Sequence, residues 1–319
     1  PCRRDFFLNP DRACKALLQG SDKRYNAAMN DKPHRNTLFV EEAEILAHDS
    51  HAGDQYVLRV QAPRCADAAR PGSFAHLQCD PSLPMRRPLS IMRVDSNAGW
   101  VEFLYKAVGT GTRALARRTR GEGICMIGPI GTPFTTDRAR PRTLLLGGGV
   151  GIPPMVFLAD HLRRDRHWQP VVMMGSEVPF PFSARPSRFM LPGMPEGVIA
   201  SMPLLEDWGI PARLTSLQDY PGCYAGYITD LARLWLDAQP KESREETSLF
   251  ACGPHPMLAA VAALADEYGL PCQVSLEEYM ACAVGGCAGC TVRINTPDGP
   301  AMKRVCVDGP VFDAQAVDW

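Results

Sequence analysis

The sequence predicts a multi-domain β plus α/β protein: an antiparallel barrel, a parallel-sheet domain with helices, and a small cysteine-rich C-terminal domain. Three observations carry this. Short alternating apolar runs divided by turn residues fill 37–138, strands and helices alternate over 139–275, and four cysteines crowd into 276–319. A chain of 319 residues accommodates roughly two or three such units.

Composition narrows the function classes. Lys plus Arg (34) nearly cancels Asp plus Glu (35), so no overall field draws the chain to nucleic acid or an anionic membrane. Apolar stretches stay well below the ~18 residues a membrane span needs. No signal-peptide pattern is visible, and the expected location is cytoplasmic. Twelve cysteines is a high count. Clustered in a chain large enough to bury its own core, they favour metal ligation over a disulfide framework.

The elements follow in order. Residues 1–36 form a basic N-terminal extension, with eight Lys/Arg against four Asp; Asn9, Pro10 and Gly20 bound one short capped helix. Over 37–138, runs such as Tyr56 to Val60, Leu89 to Met92 and Trp100 to Tyr105 alternate, and turns fall at Pro71-Gly72, Asn97-Ala98-Gly99 and Gly121-Glu122-Gly123. A basic helix is expected over 113–120, and 138–141 reads as a linker. In 139–275, strands at 143–146, 171–174 and 249–252 alternate with helices at 154–164 and 256–268, the second closed by Gly269. Residues 176–197 read as a long surface loop. The seven histidines show no pairing that suggests ligation or a nucleophile, and most are expected at the surface.

Four motifs carry chemistry. Cys282-x4-Cys287-x2-Cys290-x15-Cys306 has the spacing of plant-type [2Fe–2S] clusters, and Ala283, Gly285, Gly286, Ala288 and Gly289 keep the loop small enough for its amides to approach the sulfurs. Structural zinc sites normally use paired short knuckles, and only one C-x2-C occurs here. The run Leu144 to Pro154 takes a buried strand into Gly147, Gly148, Gly149, Val150 and Gly151 and then a helix N-terminus, a place for a pyrophosphate. It departs from strict G-x-G-x-x-G. Arg87, Pro88, Leu89 and Ser90, with Leu104, Tyr105, Lys106, Gly111 and Thr112 further on, suit a phosphate and a flavin edge. An Arg86-Arg87 pair at a strand edge would equally well guard against edge pairing. Finally Cys252, Gly253, Pro254 and Met257 lie at a strand's C-terminal end, where a nicotinamide would bind, or where a cysteine merely ends a core strand.

In this order the motifs resemble those of ferredoxin-reductase-like flavoproteins, and more narrowly of the electron-transfer subunits of class 1B dihydroorotate dehydrogenase. The resemblance spans about 37–312. It implies an FAD-binding barrel (37–138), an NAD-binding domain (139–275) and a [2Fe–2S] domain (276–319). FAD would be held by Arg87 to Ser90, Leu104 to Lys106, Gly111 and Thr112. NAD would be held by Gly147 to Gly151, Cys252, Gly253, Pro254 and Met257, and the cluster by Cys282, Cys287, Cys290 and Cys306. The implied function is to take electrons from an FMN-containing catalytic subunit, in a hetro-oligomer of pyrimidine biosynthesis, and pass them through the cluster and FAD to NAD⁺. No side chain of this chain would act as acid or base. Glu177 favours a free ribose and NAD, whereas Arg185 and Arg188 would meet a 2′-phosphate; NAD is the preferred reading. Two alternatives stand beside this: an NAD(P)H-dependent reductase serving a ferredoxin, a bifurcating complex or an oxygenase, and a non-catalytic scaffold subunit binding zinc.

Overall fold

Residues 37–319 are described by the structure, a computed structural model. The short helix predicted within 1–36 lies outside the described residues.

Strands β1 (Phe39–His51), β2 (Gln55–Gln61), β3 (Phe74–Leu77), β4 (Arg87–Asp95), β5 (Trp100–Lys106) and β6 (Gly123–Ile130) close an antiparallel barrel in the order β1-β2-β5-β4-β3-β6. Period-two alternation fills its interior: Leu58, Val60, Leu89, Ile91, Val101, Phe103, Ile124 and Met126 are all buried. Two short helices interrupt the strands, α1 (Pro63–Ala68) and α2 (Thr110–Leu115). The basic helix expected over 113–120 is therefore displaced. Only Ala114 and Leu115 find a core to bury in, and the Arg-rich stretch behind them reaches solvent, so Gly111 and Thr112 lie in the first turn rather than ahead of it.

The second layer is built on β7 (Arg142–Gly148), β8 (Gln169–Gly175), β9 (Arg185–Pro186), β10 (Ala200–Ser201), β11 (Ala212–Ser216), β12 (Tyr224–Ala225), β13 (Thr247–Cys252) and β14 (Cys272–Ser275). Helices α3 (Ile152–Leu162), α4 (Pro203–Asp207), α5 (Ile228–Asp237), α6 (Lys241–Glu245) and α7 (His255–Tyr268) connect them. The main sheet runs β12-β11-β8-β7-β13-β14 in parallel. From β7 the chain winds outward through β8, β11 and β12, then returns to the other side of β7 as β13. The crevice at the C-terminal ends of β7 and β13 is thus the topological switch point, where ligands of open parallel sheets bind.

Helix α3 is buried on every residue but His161, as expected of a helix apolar all round, and packs on barrel strand β4 as well as on its own sheet. After β14 come the cysteine loop, a hairpin of β15 (Thr291–Thr296) and β16 (Gly299–Arg304), and β17 (Val311–Asp313), which pairs antiparallel with β14. The C-terminal segment thereby adds an edge strand to the main sheet. Among the described residues, no helix is long and apolar enough to cross a membrane.

Candidate functional site

The cysteine cluster takes its geometry from one loop and one hairpin. Cys290 immediately precedes β15 and Cys306 follows β16; Thr291 pairs with Arg304, and the Val305 amide donates to the Cys290 carbonyl at 2.9 Å. Hairpin closure therefore converts a 15-residue gap into neighbouring thiols. Cys290 and Cys306 are both buried, and burial together with the neighbouring Cys290 thiol pushes the Cys306 thiol up to about 12.

Cys282 and Cys287 form the other pair. The Cys287 amide points at Cys282 Sγ (3.4 Å) and the Gly289 amide at Cys287 Sγ (3.5 Å). Burial alone would raise the Cys282 thiol, but the amides of Val284, Cys287 and Gly286 and the Cys287 thiol bring it down to about 7. Turning those amides inward uses left-handed backbone at Ala283, Gly285 and Ala288 (φ 55°, 79° and 52°), which glycine adopts freely and which strains the two alanines. Arg304 donates to the Gly285 carbonyl (3.0 Å) and pairs with Asp308, locking the loop to the strand that carries Cys306. The Thr132 amide meets the Gly309 carbonyl, which ties this segment to the end of β6. Among the described residues no three His, Cys, Asp or Glu side chains surround a point where one ion would sit.

Strand β4 carries the Arg-Pro-Leu-Ser motif. Across the β3–β4 ladder His76 opposes Pro88 and Phe74 opposes Ser90, so these four share the outer face. Leu89 and Tyr105 instead turn into the barrel, where the Tyr105 hydroxyl donates to His48 Nε2 (2.9 Å), so they border the outer face only through their main chain. Leu104 is buried on the outer side, against the second layer, and Lys106 is half-buried at the strand end. Arg87 lies across Gly111, where a β-carbon would stand 2.6 Å from Nε. Its Nη1 donates to the carbonyls of Met85 (2.9 Å) and Arg86 (3.0 Å). Thr112 Oγ1 accepts from the Gly109 amide at 3.1 Å and shapes the turn. A half-buried cation against a glycine cradle fits the phosphates of a dinucleotide.

The glycine run ends β7 at Gly147 and Gly148, then makes a single 3-10 turn over Gly149, Val150 and Gly151 into α3. This turn contacts β5, so the two candidate nucleotide sites share a wall. A β-carbon at Gly151 would stand 2.3 Å from the Cys252 carbonyl oxygen, and one at Gly148 would stand 2.4 Å from Met257 Sδ. Gly253, Pro254 and Met257 therefore close over the turn. Cys252 itself is fully buried, and burial pushes its thiol well up, so its backbone rather than its sulfur borders the crevice.

Beyond β8, Glu177 is exposed. Arg185 is paired with Asp207 and donates to the Pro203 carbonyl, while Arg188 pairs with the buried Glu206. Both guanidiniums are committed to α4. Among the described histidines His76 is the buried one, at 1% exposed. No sequence periodicity marks it, because its burial depends on strand pairing.

A closed antiparallel barrel, a parallel sheet with its switch point turned to that barrel, and a loop of paired thiols define an oxidoreductase of the ferredoxin-reductase-like class. Residues 277–318 match the family model described as the iron–sulfur cluster binding domain of dihydroorotate dehydrogenase B. A "Dihydroorotate dehydrogenase B (NAD(+)), electron transfer subunit" from Desulforamulus reducens is 32% identical, over 88% of this chain and 98% of the relative. Its counterpart from Geobacillus thermodenitrificans is 33% identical, over 82% and 92%. Among solved structures, the NADH-dependent reduced ferredoxin-NADP oxidoreductase has the same fold (TM-score 0.70, 24% identity, 88% of this chain and 90% of that one). The ferredoxin reductase of carbazole 1,9a-dioxygenase is a more distant likeness (TM-score 0.56, 20% identity, 73% and 67%). The chain belongs to the family of electron transfer subunits of dihydroorotate dehydrogenase B.

Proposed function

We propose that this chain takes electrons from an FMN-containing catalytic dihydroorotate dehydrogenase subunit and delivers them to NAD⁺. Cys282, Cys287, Cys290 and Cys306 would hold a [2Fe–2S] cluster, the outer face of β4 and β5 would hold FAD, and the switch-point crevice would hold NAD⁺. The observation that carries this reading is the fold-back of the β15–β16 hairpin, which brings Cys306 to Cys290 beside the loop where the Cys287 amide points at Cys282 Sγ. When bound, FAD supplies the exchange between one-electron carriers and hydride acceptors.

This chain's own residues bind and orient. Arg87 would turn its fork to the FAD phosphates, with Gly111 leaving room beside it and Ser90, three residues on, offering a hydroxyl from the outer face. Leu89 and Tyr105 keep the strand in place from inside the barrel. The amides of Gly149, Val150 and Gly151 and the positive end of α3 would take the NAD⁺ pyrophosphate. Glu177 would accept from the ribose hydroxyls, and the engagement of Arg185 and Arg188 elsewhere favours NAD⁺ over NADP⁺. At the cluster, inward amides stabilise thiolate, and buried Met280, Ala283, Val305 and Cys290 exclude water from the inner side. Cys287 lies at the surface, on the side open to a partner.

The test is co-expression of the full chain with a catalytic dihydroorotate dehydrogenase. The complex is expected to show flavin and iron–sulfur absorption, two iron and two sulfide per chain, and dihydroorotate-dependent reduction of NAD⁺ faster than of NADP⁺. One FAD per complex without iron, or NAD⁺ reduction by the catalytic subunit alone, would refute it.

A further inference from the structure

The turn between β1 and β2 reaches from the barrel to the other candidate nucleotide-binding half. Gln55, the first residue of β2, is 3% exposed. Its side-chain amide donates to the Ala52 carbonyl (2.8 Å) and to the Pro179 carbonyl (2.7 Å), so the second bond leaves the barrel and ends in the loop after β8. Gly53, at φ 75°, lies so close to that loop that a β-carbon on it would stand 2.8 Å from the Val178 β-carbon. A buried amide with both of its acceptors in place, next to a glycine that leaves room for a neighbour, makes a fixed contact.

The loop held there carries Glu177. On its other side the Ser176 carbonyl accepts from Ser216 Oγ (2.7 Å), and the Ser176 amide donates to the Thr215 carbonyl (3.2 Å). Ser176 Oγ donates to the Val178 carbonyl (2.7 Å) and shapes the bend between them. Glu177 therefore stands between a residue fastened to β11 and one pressed on the barrel, with its own side chain exposed. The barrel end of the contact reaches the candidate flavin segment. Gln55 pairs with Lys106 across β2 and β5, and the Ala107 amide donates to the Asp54 carbonyl at 2.8 Å. Hydrogen bonds thus run without a break from the end of β5 to the loop at the end of β8.

We propose that Gln55 is a positioning residue for the nicotinamide dinucleotide. It fastens the Glu177 loop to the barrel, so that the carboxylate meets the ribose hydroxyls at a place the barrel sets. This rests on reading Glu177 as the group that accepts from the NAD⁺ ribose. Without the bond from Gln55 to Pro179 the loop keeps its tie to β11 and loses one tie to the barrel, and Glu177 must be ordered afresh each time a dinucleotide binds. That cost falls on binding rather than on turnover.

Steady-state oxidation of NADH and of NADPH by an artificial dye, on the full chain carrying its flavin, tests it. Gln55→Met, similar in length but without a donor, is expected to raise the KM for NADH about tenfold, the size of one charge-assisted hydrogen bond, with kcat within about twofold of wild type. NADPH, whose 2′-phosphate cannot donate to Glu177, should lose less, so the preference for NADH falls. Flavin and iron content should stay unchanged. Gly53→Ala, which presses on Val178 from the same side, should give the same split between KM and kcat. In a Glu177→Ala background Gln55→Met should move the KM for NADH by less than about twofold, because the group being positioned is gone. If Glu177→Ala abolishes the preference for NADH while Gln55→Met leaves KM unchanged, or if KM and kcat worsen together as flavin is lost, the role of Gln55 alone is overturned. If Glu177→Ala leaves the preference intact, the reading of Glu177 fails and the role of Gln55 with it.

Discussion

Cys287 is the one candidate cluster cysteine that is exposed, and its Sγ accepts from the Gly289 amide. Serine there preserves size but replaces a soft thiolate with a poor iron ligand. We expect Cys287→Ser to abolish iron and sulfide binding while FAD stays at wild-type stoichiometry, measured by colorimetric iron and sulfide and by flavin released on denaturation. Equal loss of both would mean that the two sites are not separate. The crowding of Cys282, Cys287 and Cys290 into one loop was readable in the sequence because their spacing is short and local. Tyr105 and His76 show the limit. One matches a motif yet turns into the barrel, and the other matches none yet is buried beside it, and both outcomes depend on strand register.

At the level of elements, the glycine turn after β7 is constrained by what leans on it. A β-carbon at Gly151 meets main-chain atoms of Cys252 and Gly253, whereas one at Gly148 meets the flexible end of Met257. Overpacking against backbone forces the element to move, and overpacking against a thioether costs mainly a rotamer. Gly151→Ala is therefore expected to destabilise by about 2 kcal/mol and to weaken NAD⁺ binding at least tenfold. Gly148→Ala should change both several-fold less; thermal melts and NAD⁺ titrations of the two variants compare them, and equal effects would contradict this account. The barrel and the βα units were legible from their periods, two and 3.6. The β15–β16 hairpin was not, although Thr296-Pro297-Asp298-Gly299 is a turn sequence, because its short strands are only half-buried and carry little alternation. The basic stretch after Thr112 misled in the opposite direction, since helix propensity without a face to bury does not make a helix there.

For the whole molecule the question is where electrons enter. α3 fixes barrel and sheet against each other, and the segment after Cys306 is tied to β6 and, through β17, to the main sheet. Cys287, exposed at the surface, marks the side of the cysteine loop that faces solvent. In this C-terminal segment Tyr279 is 94% exposed and Met302 61%, and Val284 in the cysteine loop and Val307 after Cys306 are exposed as well. Large apolar side chains grouped on the surface mark an association face, and aromatic anchors carry a disproportionate share of binding energy. Single-electron transfer needs a short gap, so a partner that reduces the cluster has reason to dock on this rim. Tyr279→Ser combined with Met302→Ser is expected to weaken association with the catalytic subunit by about 2 kcal/mol or more, seen as loss of co-elution and of dihydroorotate-dependent NAD⁺ reduction. Oxidation of NADH by an artificial dye, which requires no partner, should continue at the wild-type rate with iron and flavin content unchanged. If the complex persists while both activities remain intact, the rim is not the entry point, and the partner must reach the cluster from another side.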